Sequence, residues 1–333
     1  MRAIVYLAPQ QVKEVQDWPE PQCGPFDVVV RMRAVGLCGS DLSVYDGHRD
    51  VPSLPWVMGH EGGGDVVAVG SEVTDRTVGQ RVVIEPNIAC LDCPACRSGV
   101  TSDCNRRRIL GMNHPGILAE RVAVPAEFTW PVDGDCPDEA LACFEPLAVA
   151  RSAVRRSGIG QGDLALVVGA GSQGILVALS LLAVGAVPHV TDPHEGRVAL
   201  AESLGARRAD PADGTYPFVF ETAGPPPAFA SAMRAVASTG TVTLIGLSHE
   251  PVQLSTADVV RRGLRLVGSI IYDHPRDFAD TRDVLRHSDI RPERAVNTGI
   301  GPEDAASAFA EARSTAGKSW IDLSSWRSPP GHR

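Results

Sequence analysis

Apolar residues fall into two rhythms along this chain of 333 residues. Up to about residue 140 they sit in short runs that suit strands: 27–33 (DVVVRMR), 64–69 (GDVVAV), 81–85 (RVVIE) and 119–124 (AERVAV). Gly and Pro punctuate them, as expected of a β-rich domain with long loops. The rhythm then changes. Residues 141–157 (LACFEPLAVARSAVRRS) recur at helical spacing. Apolar runs at 164–168, 187–192, 218–221, 241–246 and 264–269 are too short for helices and read as strands. Between them, 172–185 and 195–205 read as helices closed by glycine, and 225–237 as a helix with prolines in its opening turn. Strands alternating with helices predict a doubly wound parallel sheet. From about 288 the pattern returns to strand-like and amphipathic segments ending at 320–323 (WIDL), and 324–333, with its Pro-Pro-Gly, is expected to fray.

Composition narrows the function classes. Hydrophobic residues at 44% and charged residues at 21% are those of an ordinary globular protein, and the length predicts more than one core. Aromatics are 5%, so the cores rest on Val, Ala, Leu and Ile. Thirty-one basic against 40 acidic residues give a net charge of −9, which argues against nucleic acid or an anionic membrane surface as partner. No run of about 18 apolar residues could span a bilayer, and MRAIVYLAP lacks the apolar core of a signal peptide, so the expected place is the cytoplasm. Arg supplies nearly all the basic charge, and the lysines are Lys13 and Lys318.

Four of the eight cysteines lie in CLDCPACRSGVTSDC: Cys90, Cys93, Cys96 and Cys104. Without a secretory signal, disulfides are disfavoured. Closely spaced thiols in a Gly/Pro-rich loop suit a closed tetrahedral zinc site, which is structural because it leaves no position for substrate. An iron–sulfur cluster is the rival, but the seven-residue gap and the absence of Pro after Cys104 speak against it.

A second motif, Gly169-Ala170-Gly171-Ser172-Gln173-Gly174, follows a predicted strand and opens a predicted helix. In that context Gly169 permits the tight turn, Gly171 lets backbone approach a pyrophosphate, and Gly174 lets helix and strand pack closely. The helix N-terminus offers free N–H groups to phosphate. Asp192 ends the next strand, where a carboxylate accepts ribose hydroxyls and repels a 2′-phosphate, favouring NAD over NADP. Arg197 qualifies this, since it could lie on adenine or tolerate that phosphate, and Asp192 could also be an ordinary polar strand end.

Cys38 (GLCGSD), His60 and Glu61 (MGHEGGG) and Glu145 (CFEPLAVA) form a possible third constellation beside glycines or at a helix start. A thiol, an imidazole and a carboxylate with one open position would describe catalytic zinc. Spacing alone does not establish it.

Taken together, GLCGSD, GHEGGGDVVAVG, the cysteine lobe, EPLAVA and VVGAGSQG resemble the zinc-containing medium-chain dehydrogenases/reductases, and within them the sorbitol/polyol and threonine dehydrogenase branch. The resemblance spans essentially the whole chain. It implies a GroES-like catalytic domain over 1–150 and 288–333, carrying the 90–104 lobe, and a Rossmann NAD-binding domain over 151–287. It also implies two zinc ions per subunit. The catalytic ion would sit on Cys38, His60 and the Glu61/Glu145 pair, and the structural one on Cys90, Cys93, Cys96 and Cys104. Ser40 would meet the substrate oxygen and Asp41 would support the ligands. Tyr45, His48, Trp56, Asn113, His114 and Tyr272 would line a polar pocket. The implied reaction moves a hydride between NAD and a secondary alcohol of a small polyol or cyclitol, in a homodimer or homotetramer. An amino alcohol or aminocyclitol is the alternative, since CGSDLS is also similar to 2-deoxy-scyllo-inosamine dehydrogenases. A zinc-free quinone or enoyl reductase would lack Cys38, His60 and the lobe, and a non-catalytic NAD-binding regulator would tolerate their loss. Two departures stand out. Ser43 replaces the His that many relatives carry five residues after the ligand cysteine, leaving proton exit to Ser40, ribose hydroxyls, water or His48. And 209–217 is too short for the helix that relatives place there, which would leave a patch of sheet exposed or covered by another subunit.

Overall fold

The computed structural model describes residues 1–210 and 213–327, so expectations for 211–212 and 328–333 lie outside the described residues. The chain divides into two compact units, Met1–Glu145 with Val296–Arg333, and Pro146–Ala295. The bounds that the resemblance implies, 150/151 and 287/288, lie within several residues of these.

The first unit is built on an antiparallel sheet. Its central strands are β1 (Asp27–Gly36) and β2 (Glu61–Val69), with Arg81–Ile84 and Thr129–Pro131 beyond β2 and Trp320–Asp322 on the far side of β1. Arg121–Pro125 also pairs with β1. Val28, Val30 and Met32 of β1 are almost wholly buried in a core shared with Ile4, Val82, Leu118 and Ile321. β2 starts earlier than the expected 64–69. Its Gly62-Gly63-Gly64 run reads as loop by propensity, but packing makes it strand. A Cβ on those glycines would stand 2.3, 2.4 and 1.9 Å from the carbonyl oxygens of Ala34, Val82 and Arg31, so only glycine fits. Of the stretch expected to fray, the described residues 324–327 are ordered into a turn. Ser324–Arg327 forms a 3-10 turn that buries Trp326, whose ring lies under the Arg2 guanidinium at 5.4 Å.

In chain order the second unit carries the parallel strands β3 (Leu164–Val168), β4 (Val187–Thr191), β5 (Arg207–Arg208), β6 (Tyr216–Glu221), β7 (Val236–Leu244) and β8 (Arg265–Gly268). Their order in the sheet, β5-β4-β3-β6-β7-β8, is the doubly wound arrangement expected from the alternation of strands and helices. The order reverses around β3, which places a ligand crevice at the carboxyl ends of β3 and β6. Both faces are covered, one by a core containing Val167, Ile175 and Phe220, the other by one containing Leu166, Val219 and Phe229. The short connection from β5 to β6 has a local substitute for a covering helix. Tyr216 is buried on the Leu166 face and reaches across β3 to β4, where its hydroxyl meets His189 Nδ1 at 3.0 Å with the rings edge to face. Among the described residues no helix is long and apolar enough to cross a membrane.

Candidate functional site

The first cluster forms where β1 ends. Gly36 pairs on one side with Glu61 and on the other with Trp320, so the next residues, Leu37 and Cys38, leave the sheet between the two. Cys38 then caps helix α1 (Gly39–Tyr45). The acidic residue of the first helical turn, Asp41, is fully buried and accepts the backbone N–H of Cys38 (3.1 Å) and of Gly59 (3.1 Å). Its Oδ2 lies 3.3 Å from His60 Nδ1. One carboxylate therefore holds the backbone of Cys38 and faces the ring of His60. Burial raises its carboxyl, but the His60 ring and the two N–H donors outweigh that and hold it below its ordinary value. His60 is the mirror case. Burial opposes its charged form, yet Asp41 and Cys38 push the imidazole well above its ordinary value.

Cys38, His60 and Glu61 place one ligand atom each within 4.8 Å of one another. Thiol, imidazole and carboxylate form a donor set for zinc, and the negative surroundings that would keep a proton on His60 would equally keep a divalent cation. Ser40 Oγ lies 3.4 Å from His60 Nε2, at the rim of this group. Glu145 is not among the three side chains that meet within this distance. It is buried within α2 (Asp138–Ser157), one turn after Ala142, whose carbonyl oxygen a Cβ at Gly36 would meet at 2.7 Å.

The sequence reading missed Lys318. It is buried to 2% exposure, as is Glu61, and its ammonium donates to Glu61 Oε2 and to the carbonyl oxygen of Leu37 (3.3 Å). Burial disfavours its charge, but Glu61 and Cys38 outweigh that and raise its pKa. Gly36 makes the room: a side chain there would strike Lys318 Cε at 2.5 Å and Glu61 Oε2 at 3.0 Å. The available signal was compositional, a lysine just before the last strand of a chain whose other cations are nearly all arginine.

The second cluster is the cysteine lobe. Cys93 caps the short helix Pro94–Arg97, whose turn brings Cys96 back toward it. Cys90, Cys93, Cys96 and Cys104 lie within 4.8 Å of one another, with Cys90 and Cys96 sulfurs 3.9 Å apart, and none forms a disulfide. Tetrahedral zinc–sulfur bonds of 2.3 Å set sulfurs roughly 3.8 Å apart, so the lobe has nearly the size of a closed site. The backbone N–H of Cys96 lowers the Cys93 thiol to about 7, whereas burial and the neighbouring Cys93 and Cys104 push Cys96 up to about 12. Four adjacent thiolates resist forming together unless a cation balances them.

The third element is the glycine loop of the second unit. Gly169 has φ +98°, in the region that favours glycine, and Gly171 caps helix α3 (Ser172–Ala183). A Cβ on Gly174 would lie 1.8 Å from the Gly169 carbonyl oxygen. Ser172 and Gln173 form the first helical turn, where Gln173 Nε2 donates to the Pro146 carbonyl at 3.3 Å. Asp192 accepts Ala170 N–H on Oδ2 (2.8 Å) and His194 N–H on Oδ1 (2.8 Å), while Arg197 Nη1 stands 3.9 Å from Oδ2. Gly174→Ala is expected to weaken NADH binding by about tenfold or more, since overpacking costs typically 1–3 kcal/mol. Calorimetric titration of the variant checks this.

The residues expected around substrate have varied surroundings of their own. Tyr45 faces inward from α1 against Phe309 at 5.3 Å, so it is a core residue and not a pocket wall. Tyr272 is likewise buried, edge to face with Phe278 at 4.7 Å. Trp56 is buried with its Nε1 donating to the Gly111 carbonyl. Asn113 is exposed and ties its own turn, accepting from Ile109 N and donating to the Arg107 carbonyl. His48 and His114 are exposed. Ser43 Oγ is committed to the Gly39 carbonyl at 3.0 Å.

Comparison with known proteins agrees with this layout. Residues 24–134 match the alcohol dehydrogenase GroES-like domain, and 174–287 the zinc-binding dehydrogenase domain. The chain is 32% identical to L-galactonate-5-dehydrogenase of Escherichia coli (strain K12) over 84% of its own length and 86% of the relative's. It is 34% identical to D-altritol 5-dehydrogenase of Agrobacterium fabrum, over 75% and 79%. A Sinorhizobium meliloti 1021 chain named as a zinc-binding dehydrogenase and bound to NADP superposes with a TM-score of 0.88, at 28% identity and with 96% and 98% coverage.

Proposed function

This chain belongs to the zinc-binding alcohol dehydrogenases of GroES-like and Rossmann architecture, and from that premise we propose that it oxidises a secondary alcohol of a small polyol or cyclitol with NAD. The observation that carries this reading is the meeting of Cys38, His60 and Glu61 within ligand distance, at the end of a strand whose last residue pairs with Glu61 on one side and Trp320 on the other. Polyhydroxylated substrates of the relatives, named as a galactonate and an altritol dehydrogenase, support the substrate class.

When bound, zinc supplies a Lewis acid for the alcohol oxygen and the nicotinamide ring accepts the hydride. Cys38, His60 and Glu61 would hold that ion, with Asp41 fixing the ring of His60 through Nδ1 and so turning Nε2 toward the centre. Glu145 remains proposed as the further carboxylate of the centre. Ser40 Oγ, beside His60 Nε2, would take the alcohol proton. Ser43, occupied with helix backbone, passes on no proton from this position, so exit runs from Ser40 to water or the ribose hydroxyls of the cofactor. The four lobe cysteines would hold a second, structural zinc.

In the second unit, the N-terminus of α3 with Gly171, Ser172 and Gln173 would receive the pyrophosphate. Asp192 supports NAD over NADP. Its carboxylate is anchored by two backbone N–H groups, which hold a negative charge at the strand end where a 2′-phosphate would lie. Replacing it, Asp192→Ser, is expected to raise the NADP-to-NAD ratio of kcat/KM by roughly tenfold or more, the effect of one removed charge repulsion of about 1.4 kcal/mol. Steady-state kinetics with both cofactors decide it.

The edge strand β8 is half exposed, and Leu247, Val260 and Ile270 on the elements beside it are exposed by 79%, 78% and 55%. That edge supports assembly with a second copy as a homodimer or homotetramer, which sedimentation distinguishes. The functional reading is tested by NAD reduction with a panel of polyols, cyclitols, aminocyclitols and threonine, with and without chelator. Chelator-sensitive turnover of polyols or cyclitols is expected. NAD binding without turnover of any alcohol by a zinc-loaded preparation would mark a regulator instead.

A further inference from the structure

We infer that Thr222 is a positioning residue of the glycine loop: together with Asp192 it clamps the Gly169–Ala170 peptide from both sides, and so fixes the backbone on which the pyrophosphate of a dinucleotide rests. The inference deepens the proposed cofactor reading of that loop and rests on it.

Register brings the three residues together. Val168 ends β3 and pairs with Thr191, the last residue of β4, and with Glu221, the last of β6. One step on, Gly169 stands between Asp192 and Thr222. The backbone ladder runs into this step, with Gly169 N–H on the Thr191 carbonyl (2.9 Å) and Thr222 N–H on the Val168 carbonyl (3.0 Å). Side chains then take the next peptide. Thr222 Oγ1 donates to the Gly169 carbonyl oxygen at 2.8 Å, and its longer contact, 3.1 Å, is with the Val168 carbonyl that the Thr222 N–H already serves. Asp192 Oδ2 accepts the Ala170 N–H at 2.8 Å. A trans peptide points its C=O and N–H in opposite directions, so one side chain from each neighbouring strand end holds one end of a single peptide plane. Gly169 and Ala170 are both buried, where an unpaired peptide group is costly.

The turn that presents Thr222 is itself held, since the buried Glu221 accepts the N–H groups of Ala223 (2.9 Å) and Gly224 (2.7 Å) on Oε1. The same hydroxyl adds a reason for two of the glycines, because a Cβ on Gly169 or on Gly174 would meet Thr222 Oγ1 at 2.9 Å. A clamp is needed because Gly169 has φ +98°, and a glycine leaves the peptide beyond it cheap to turn. Turning that plane would pull the Gly169 carbonyl from Thr222 and the Ala170 N–H from Asp192, and would shift Gly171, the cap of α3. With the plane held, the N–H groups at the start of α3 stay aligned for an anion before one arrives.

The test compares Thr222→Val, which keeps the shape and removes the donor, with Thr222→Ser, which keeps the hydroxyl, in the full chain. The readouts are affinity for NADH, ADP-ribose and adenosine, thermal unfolding without ligand, and the split of kcat from the KM for NAD. Thr222→Val is expected to weaken NADH and ADP-ribose by about tenfold, the effect of one lost partner on a buried acceptor. Adenosine, which has the ribose and no phosphate, should weaken by less than about threefold. The unfolding temperature should fall by no more than about 3 °C, since the released peptide turns to relieve its carbonyl and binding must turn it back. KM for NAD should rise by about the factor seen for NADH, with kcat within about threefold of the wild type. Thr222→Ser should restore both affinities to within about threefold. If Thr222→Val does not fold, Thr222→Ala is read in the same way. Unchanged affinity for NADH and ADP-ribose in Thr222→Val would overturn the inference, as would a Thr222→Ser protein that binds no better. An equal loss of adenosine with an unfolding temperature lower by about 10 °C would assign Thr222 to the fold alone. A wild type that binds neither NADH nor ADP-ribose would sink the cofactor reading of the loop and this inference with it, whereas wild-type binding that Thr222→Val leaves intact sinks the inference alone.

Discussion

Cys38→Ala should lower turnover by roughly 10³-fold, because a Lewis acid contributes several kcal/mol at the alcohol oxygen and each 1.36 kcal/mol is tenfold in rate. The residue is placed by two independent features. It caps α1, and its backbone N–H is held by Asp41, the same carboxylate that faces His60 Nδ1. Removing the sulfur leaves the helix and Asp41 in place, so the fold should survive and zinc should leave only this centre. NADH affinity should change by less than about threefold, within the usual spread for sites that share no partner. The glycine loop proposed to receive the cofactor belongs to the other unit of the chain. Stopped-flow or steady-state turnover with calorimetric NADH titration separates the two effects. Parallel loss of both would show that Cys38 acts through the fold.

The second large effect belongs to the cysteine lobe and is of a different kind. Cys93→Ala should lower the unfolding temperature by roughly 10 °C or more, given about 2–4 °C per kcal/mol for a domain of this size. Structural zinc binding is itself folding free energy, about 10–16 kcal/mol in small zinc modules, comparable with the whole stability of a domain. On the proposed reading the lobe would depend on it, because little else holds Cys90–Cys104 together. Its helices are Pro94–Arg97, with none of its residues buried, and the single 3-10 turn Thr101–Asp103, and its buried side chains are Thr101 and the cysteines Cys93 and Cys104 themselves. Cys23→Ala is the control. That thiol is exposed and outside the lobe, so its loss should leave the unfolding temperature nearly unchanged. Scanning calorimetry checks both.

What could be read in advance follows from how local each signal is. The C-x2-C-x2-C spacing closes on itself through one short helix, so the meeting of sulfurs is nearly determined by covalent geometry. The glycine loop and the alternating strands are similarly local, and their sheet order is the expected one. Signals that depend on packing across the fold were harder. Gly62-Gly63-Gly64 carries no strand propensity, and its strand character comes from carbonyl oxygens of two neighbouring strands. The Lys318–Glu61 pair joins residues 257 positions apart, and nothing in either local sequence announces the other. The resemblance implied Tyr45 and Tyr272 as a substrate wall, but the apolar faces of their rings pack against Phe309 and Phe278. The covering of β3 by Tyr216 and His189 needed a hydrogen bond across one intervening strand, which a pattern of alternating residues does not reveal.

The central claim is that one cation is gripped by Cys38, His60 and Glu61, apart from a second one in the lobe. Zinc content by elemental analysis, taken on the purified wild type and on Cys38→Ala, tests it most directly. The account predicts about two zinc ions per chain in the wild type and about one in the variant, the remaining ion being held by four sulfurs. A wild type with a single zinc, or a Cys38→Ala protein that still carries two, would contradict it.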